Sequence, residues 1–314
     1  MLAPESHSYT AYGMGISSFM PLPGLVSGRT TRDIVVCKGH VRETRFFSTF
    51  DENQVILKPE LNLSVRAGET AFCIEWNGLG RCLIRQRREI VVEPDRGVDP
   101  EALAPYITGP ALAVLLHQRN LLVLHASAVA FGDSAAVFLG NKGYGKSTQA
   151  AHLEMRSHPL VSDDLVPVSF RGGVPETSAG YPQIKLYDDS LESIGLGAVN
   201  MPLVTANHPK RFMKCEDHFA DRPLSVGCVF ILENSGSVEI TRLPATAAFM
   251  GIARNSYMGG YLAETNSVSA HFQQCQALVN STPIFQLRRP RDFGYIAKVT
   301  DLIERTMSEL VTHK

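Results

Sequence analysis

Gly140-Asn141-Lys142-Gly143-Tyr144-Gly145-Lys146-Ser147 is the stretch that decides how this chain is read. It satisfies the pattern G-x-x-x-x-G-K-S in full. The glycines at 140, 143 and 145 accept backbone angles that let successive N–H groups turn inward toward one anion. An apolar run, Ser134–Leu139, precedes the loop, and a helical pattern, Thr148–Arg156, follows it. A strand entering such a loop and a helix leaving it put unpaired N–H groups and the positive end of a helix dipole against whatever the loop holds. In that setting Lys146 supplies a point charge for β- and γ-phosphate oxygens, and the Ser147 hydroxyl ligates Mg²⁺. The segment Gly140–Thr148, with Asn141, Lys142, Tyr144 and Thr148 included, is expected to bind ATP–Mg²⁺. The choice of ATP over GTP is open at this level.

Working outward, the next element needed is a carboxylate at the tip of a neighbouring strand, to hold the metal or take a proton. Leu160-Val161-Ser162-Asp163-Asp164 supplies two. Adjacent residues on an extended segment point to opposite sides, so the two acids divide the work. Asp163 facing the Ser147-bound metal and Asp164 serving an acceptor hydroxyl is one assignment; the reverse is the other. His125 ends the apolar run Leu121–Leu124 and can reach the same edge.

The rest of the chain organises around this core. Residues 1–30 are rich in Gly, Pro and Ser and read as an irregular arm. Residues 31–98 alternate short apolar runs (Asp33–Cys37, Gln54–Leu57, Thr70–Trp76, Arg81–Arg85, Ile90–Val92) with turn residues. Asn77-Gly78 is a hairpin signal among them. They predict a small, mainly antiparallel β domain. Asp99-Pro100-Glu101 starts a helix that runs to about Arg119 and opens a domain spanning 99–314. Further strands are predicted at Val226–Leu232 and Ile284–Leu287, and helices at Ala245–Ala253, Ser267–Val279 and Phe293–Val311. The fold class is α/β: a phosphate-loop core preceded by a β-rich domain.

Composition narrows the function classes. The 314 residues are 44% apolar and 19% charged, with a formal net charge of −1. A balance so near neutral does not suit a nucleic-acid binder that works by neutralising phosphates. No apolar run approaches the roughly 18 residues of a membrane span, and Met1–Ser18 lacks the pattern of a secretory signal. Six scattered cysteines without a C-x-x-C pair fit a reducing compartment. A cytoplasmic protein is expected, without membrane or nucleic-acid partners; a homo-oligomer is compatible with all of this.

His125, Gly140–Ser147 and Leu160-Val161-Ser162-Asp163-Asp164 together resemble the HPr kinase/phosphorylase family. Its members carry a His before the phosphate loop and a Leu-Val-x-Asp-Asp after the helix. The match is densest from Leu121 to Val168. Looser features along the chain resemble the branch encoded with peptide-modification genes, including lasso-peptide kinases: Leu124-His125-Ala126-Ser127-Ala128-Val129, Tyr181-Pro182-Gln183-Ile184-Lys185-Leu186, Lys210-Arg211-Phe212 and Leu287-Arg288-Arg289-Pro290-Arg291. The resemblance implies a phosphate-loop core like the family's C-terminal domain, and ATP-dependent phosphorylation of a serine hydroxyl on a peptide or small protein. One departure stands out. The family's Arg-Gly-Leu-Gly-Ile-Ile segment, preceded by a metal-ligating Glu, has only a faint echo in Ile194-Gly195-Leu196-Gly197. Gln183 and Lys185 are candidates for part of that site.

Cations of the second half complete the candidate set. Lys210 and Arg211 are expected near the nucleotide, and Arg288 and Arg289 near a phosphate or a carboxylate, because charge spread over a transferring phosphoryl group favours such partners. Two rival functions stay open: a kinase of a free metabolite such as serine, and a nucleotide-gated scaffold with little turnover.

Overall fold

The computed structural model describes residues 6–28, 31–41, 56–58, 63–68, 71–204, 209–261 and 267–312. These form two compact units, 1–121 with 258–271, and 122–257 with 272–314.

The first unit is built on one sheet. Its strands are β1 (His7–Ala11), β2 (Met14–Ser18), β3 (Val26–Ser27), β4 (Ile34–Lys38), β5 (Ile56–Lys58), β6 (Leu63–Ala67), β7 (Ala71–Trp76), β8 (Gly80–Arg85) and β9 (Glu89–Pro94). They lie in the order β3-β1-β2-β4-β9-β8-β7-β6-β5, antiparallel except for the β2–β4 and β4–β9 pairs. Residues 54, 55 and 70 of two predicted strands lie outside the described residues. Residues 1–30 are not an irregular arm where they are described. Tyr12 (φ 55°) and Gly13 (φ 71°) make a two-residue turn of the kind that closes hairpins, and β1 and β2 pair across it. The strands hide in the sequence because Gly15, Ser17 and Ser18 are weak strand formers, held by pairing with β1 and β4.

A helical segment completes this unit: a 3₁₀ turn at Pro100–Leu103, α1 (Ala104–Tyr106), a π turn at Ile107–Ala111 and α2 (Leu112–Gln118). Asp99 caps it by accepting from the Glu101 amide at 3.0 Å. Pro110, which has no N–H to give, falls inside the π turn. Ile107, Thr108 and Leu112 face Ile16, Ile34 and Ile90 of the sheet around a small apolar cavity. For that reason the boundary drawn at 98/99 moves to Leu121: the helix serves the core of the first unit.

The second unit carries β10 (Leu122–Leu124), β11 (Ser127–Phe131), β12 (Ser134–Leu139), α3 (Lys146–Glu154), β13 (Leu160–Ser162), β14 (Val166–Arg171) and β15 (Val174–Thr177). It continues with β16 (Gln183–Tyr187), α4 (Asp188–Ser193), β17 (Lys210–Lys214), β18 (Leu224–Asn234), β19 (Glu239–Arg242), α5 (Ala245–Arg254), the part of α6 (Val268–Ser281) from Phe272 on, β20 (Ile284–Arg289) and α7 (Ile296–Thr312). Its mixed sheet runs β10-β14-β15-β18-β12-β11-β13, with β20 parallel to β18 and antiparallel to β19. β16 and β17 form a separate hairpin.

The central strands are buried on both faces, as layered α/β sheets require. Along β12, Ala136 and Phe138 pack with Ala150 and Leu153 of α3 and Val299 and Ile303 of α7. Ala135, Val137 and Leu139 pack on the other side with Ala248 and Ile252 of α5 and Leu278 of α6. Among the described residues no helix is long and apolar enough to cross a membrane.

Candidate functional site

Pairing register brings the site together. β12 ends at Leu139 and the phosphate loop begins at the next residue. Ser127↔Phe138 and Ala128↔Ser162 set the start of β11 and the end of β13 level with that point. Leu124↔Val166 brings the end of β10 to the start of β14, just past Asp164. His125, Ser127, Asp163 and Asp164 thus meet at the edge of the sheet from which the loop emerges.

The loop has the backbone its sequence requires. Gly140, Gly143 and Gly145 take φ values of 149°, 82° and 75°. A β-carbon on Gly140 would lie 3.3 Å from the Leu232 backbone, and one on Gly145 would lie 2.3 Å from the Arg289 guanidinium. Gly145 is the N-cap of α3 and brings no side chain to it, so the first amides of the helix are left for an anion. Asn141, Lys142 and Gly143 are exposed, and Tyr144 is half-buried. The Lys146 ammonium donates to the carbonyls of Gly140 (2.7 Å) and Asn141 (3.4 Å), which holds it across the mouth of the loop. Burial lowers its pKa and Lys210 adds to the fall, while Asp163 and Asp164 pull the other way. Ser147 is half-buried in the first turn of α3, and Thr148 donates to Ser190 of α4 at 3.1 Å.

The two acids part company. Asp163 is 3% exposed, accepting from the Ser127 hydroxyl (2.6 Å) and from the Lys185 backbone N–H (3.1 Å). Both carboxylate oxygens are committed within the protein. Asp164 adopts φ 72°, a left-handed conformation that costs of order 1 kcal/mol even where Asp tolerates it best. That twist turns it outward. One oxygen meets His125 Nε2 at 3.2 Å and the other Lys185 Nζ at 3.3 Å. Burial opposes its ionisation, but the Lys185 ammonium, the His125 hydrogen bond and charge, and Lys210 outweigh it. They hold the carboxyl far below the usual range. The side chains of His125 and Asp164 are 38% and 27% exposed, so both are reachable.

The remaining candidates distribute unevenly. Lys185 belongs to the cluster through its backbone and its ammonium. Gln183 is buried at the start of β16, in register with Lys214. Lys210 lies 5.0 Å from the centre of the Tyr187 ring and is felt by both Asp164 and Lys146. Arg211 is engaged by Asp188 (2.8 Å) and the Met201 carbonyl (2.8 Å), which ties the hairpin to α4. Arg288 pairs with Glu233 (3.0 Å) and Glu239 (3.8 Å). Arg289, on the opposite face of the strand, reaches the loop and donates to the Tyr144 carbonyl at 2.8 Å. Among the described residues its buried Nε has no hydrogen-bond partner, and burial lowers the pKa of the group.

Residues the sequence did not single out are Ser127 as the partner of Asp163, and the run Asn255-Ser256-Tyr257. Asn255 Oδ1 accepts from the Gly140 amide (3.0 Å), and its carbonyl accepts from the His125 amide (2.8 Å). The Tyr257 ring sits edge-on to His125 at 5.2 Å. Ser127 lay inside a quoted motif. Nothing in the local pattern marks Asn255, which closes an ordinary-looking helix.

Mg²⁺ fits the donor chemistry of the site. It usually binds through one or two carboxylates together with substrate phosphates and water, and the outward Asp164 with the Ser147 hydroxyl offers such a set. Among the described residues no three His, Cys, Asp or Glu side chains converge into a fuller metal cage.

No family model and no curated protein matches this chain. Among solved structures it is similar to the HPr(Ser) kinase/phosphatase from Coxiella burnetii, at 11% identity and a TM-score of 0.34, over 60% of this chain and 97% of that one.

Proposed function

We propose that this chain is an ATP-dependent phosphotransferase that moves the γ-phosphoryl group to a serine hydroxyl of a peptide or small protein. One observation carries the reading: an open phosphate loop stands beside a reachable carboxylate that His125 and Lys185 hold ionised. Nucleotide binding alone has no use for that second cluster. The resemblance of the sequence to the peptide-modifying branch favours a precursor peptide as the acceptor.

The loop amides and the uncapped start of α3 bind the phosphates, and Lys146 places its charge where charge develops during transfer. Mg²⁺, held by Ser147 and Asp164 with the phosphates, would neutralise the leaving oxygen. Asp164 accepts a hydrogen bond from the acceptor hydroxyl and orients it. As the serine Oγ–P bond forms and the bond to the β-phosphate oxygen breaks, the hydroxyl proton passes to this carboxylate. A carboxylate held ionised by Lys185 and His125 orients the hydroxyl first and takes the proton late. That suits a loose transition state, in which the nucleophile has scarcely bonded. Asp163 has the different duty of fixing β16 against β11 through Lys185 and Ser127.

The test is transfer from γ-labelled ATP with Mg²⁺ to serine-containing peptides, with free serine as a parallel acceptor. Label is expected on peptide with the parent protein and none with Lys146→Ala. Label on free serine alone would favour a metabolite kinase. Normal transfer by Lys146→Ala would end the phosphate-loop reading.

A further inference from the structure

We infer that Asn255 is a positioning residue that sets the phosphate loop and the His125–Asp164 pair in register with each other; the inference rests on the phosphotransferase reading. Besides its main-chain amide, which donates to the Ile252 carbonyl (3.1 Å), three of its polar groups have separate duties. Nδ2 donates to the Gly251 carbonyl (2.8 Å) and so closes the end of α5. Oδ1 accepts from the Gly140 amide (3.0 Å), and the main-chain carbonyl accepts from the His125 amide (2.8 Å). The surroundings fix which way the carboxamide points, because Gly251 offers only an acceptor and Gly140 only a donor.

Each contact leads onward to a group placed in the chemistry. Gly140, held at its amide, gives its carbonyl to Lys146 at 2.7 Å. His125, held at its amide, gives Nε2 to Asp164 at 3.2 Å. The next two residues reinforce the attachment to β10: Ser256 bridges Leu124, and the Tyr257 amide donates to the Val123 carbonyl at 2.8 Å. Asn255 therefore stands between the two halves of the site while touching neither phosphate nor acceptor. Phosphoryl transfer depends mainly on such placement, and small displacements of the reacting groups are costly. A helix-closing Asn needs only its donor; here both ends of the amide and the carbonyl are committed, two of them toward the site.

The experiment follows amide hydrogen exchange at Gly140 and His125 by NMR, Mg²⁺–ATP binding by calorimetry, and kcat on a peptide acceptor. Asn255→Ala is expected to speed exchange at Gly140, to raise the Kd for Mg²⁺–ATP about tenfold, as loss of one hydrogen bond at a binding loop does, and to lower kcat. Asn255→Asp keeps the acceptor and loses the donor, so Gly140 should regain protection. Its new negative charge stands at an anion site, so Mg²⁺–ATP should bind more weakly than to Asn255→Ala, and the deficit should shrink with salt. If Asn255→Ala changes only the melting temperature, with Kd and kcat at parental values, Asn255 is a helix cap and the inference fails. If the parent binds no Mg²⁺–ATP while Gly140 exchange still responds to Asn255→Ala, the nucleotide reading fails instead and takes the positioning role with it.

Discussion

The two sides of the candidate site are built in opposite ways. The phosphate side is one run of chain, Gly140–Thr148, whose proposed function resides in backbone amides and one lysine. The acceptor side is assembled from separated segments: His125 and Ser127 around the start of β11, Asp163-Asp164 after β13 and Lys185 on β16, with Asn255 after α5 joining it to the loop. A contiguous loop needs only local conformational freedom, which three glycines provide. A dispersed cluster needs strand register, and one slipped residue would turn every side chain to the wrong face. Apart from its contact with Asn255, the phosphate side should therefore tolerate change in its surroundings better than the acceptor side does.

Asp164→Asn should break this division most sharply. The amide keeps the volume and loses the charge, so binding of ATP without metal should stay within a few-fold of the parent, the gain in affinity from Mg²⁺ should shrink, and transfer should fall by roughly 10²–10⁴. Stability gives an independent check on the same residue. The folded-state pKa of Asp164 is depressed, because Lys185 and His125 outweigh burial. Its ionised form therefore stabilises the fold above the unfolded carboxyl value of about 4, and that contribution is lost as pH falls toward the depressed value. The deficit of Asp164→Asn against the parent should be full at neutral pH and should narrow below pH about 4, as followed by thermal melts across pH. A deficit that widens in acid would show that the Lys185 and His125 contacts do not stabilise the carboxylate.

The same contrast explains what could be read from the sequence. The loop, the strand before it and the helix after it were legible because spacing and residue type sit together in one stretch. The joint membership of His125, Asp163 and Asp164 was legible only as a pattern of separations. Which acid faces outward was not, because it depends on one left-handed φ at Asp164 and on partners at Ser127 and Lys185. Strands β1 and β2 leave little trace in the sequence, because Gly15, Ser17 and Ser18 are small or polar and owe their extended form to pairing. The Arg288–Arg289 pair read as one basic cluster, yet strand alternation sends Arg288 to Glu233 and Arg289 to the loop.

Ser127→Ala should sharpen the comparison with a smaller effect. It removes one of two hydrogen bonds to a buried carboxylate, at a cost of about 1–3 kcal/mol in stability. The unfolding free energy from denaturant titration should fall by that amount, with transfer reduced only several-fold, since Asp163 supports the site from beneath. A loss of transfer as large as that of Asp164→Asn, at unchanged stability, would give the working role to Asp163 and reverse the assignment.

The smallest expected effect concerns direction. Returning a phosphoryl group from phosphoserine to inorganic phosphate requires a second phosphate beside the first, with enough cations to hold both. The basic residues near this loop are largely engaged. Lys185 serves Asp164, Arg211 serves Asp188 and the Met201 carbonyl, and Lys210 lies over Tyr187. Arg289 reaches the site edge but is tied to the Tyr144 carbonyl. Ile194-Gly195-Leu196-Gly197, after α4, has a left-handed Gly195 and Glu192 shortly before it, but Ile194 stands where the segment it echoes has its Arg. Among the described residues the groups proposed for the forward direction lie together, and no comparable set of uncommitted cations stands beside them. Phosphorylated product incubated with the protein, Mg²⁺ and millimolar phosphate should release no pyrophosphate above background. Release at a rate near that of forward transfer would mean that Lys210 or Arg289 leaves its present partner to hold the second phosphate. Lys210→Met and Arg289→Met would then show which of them supplies it.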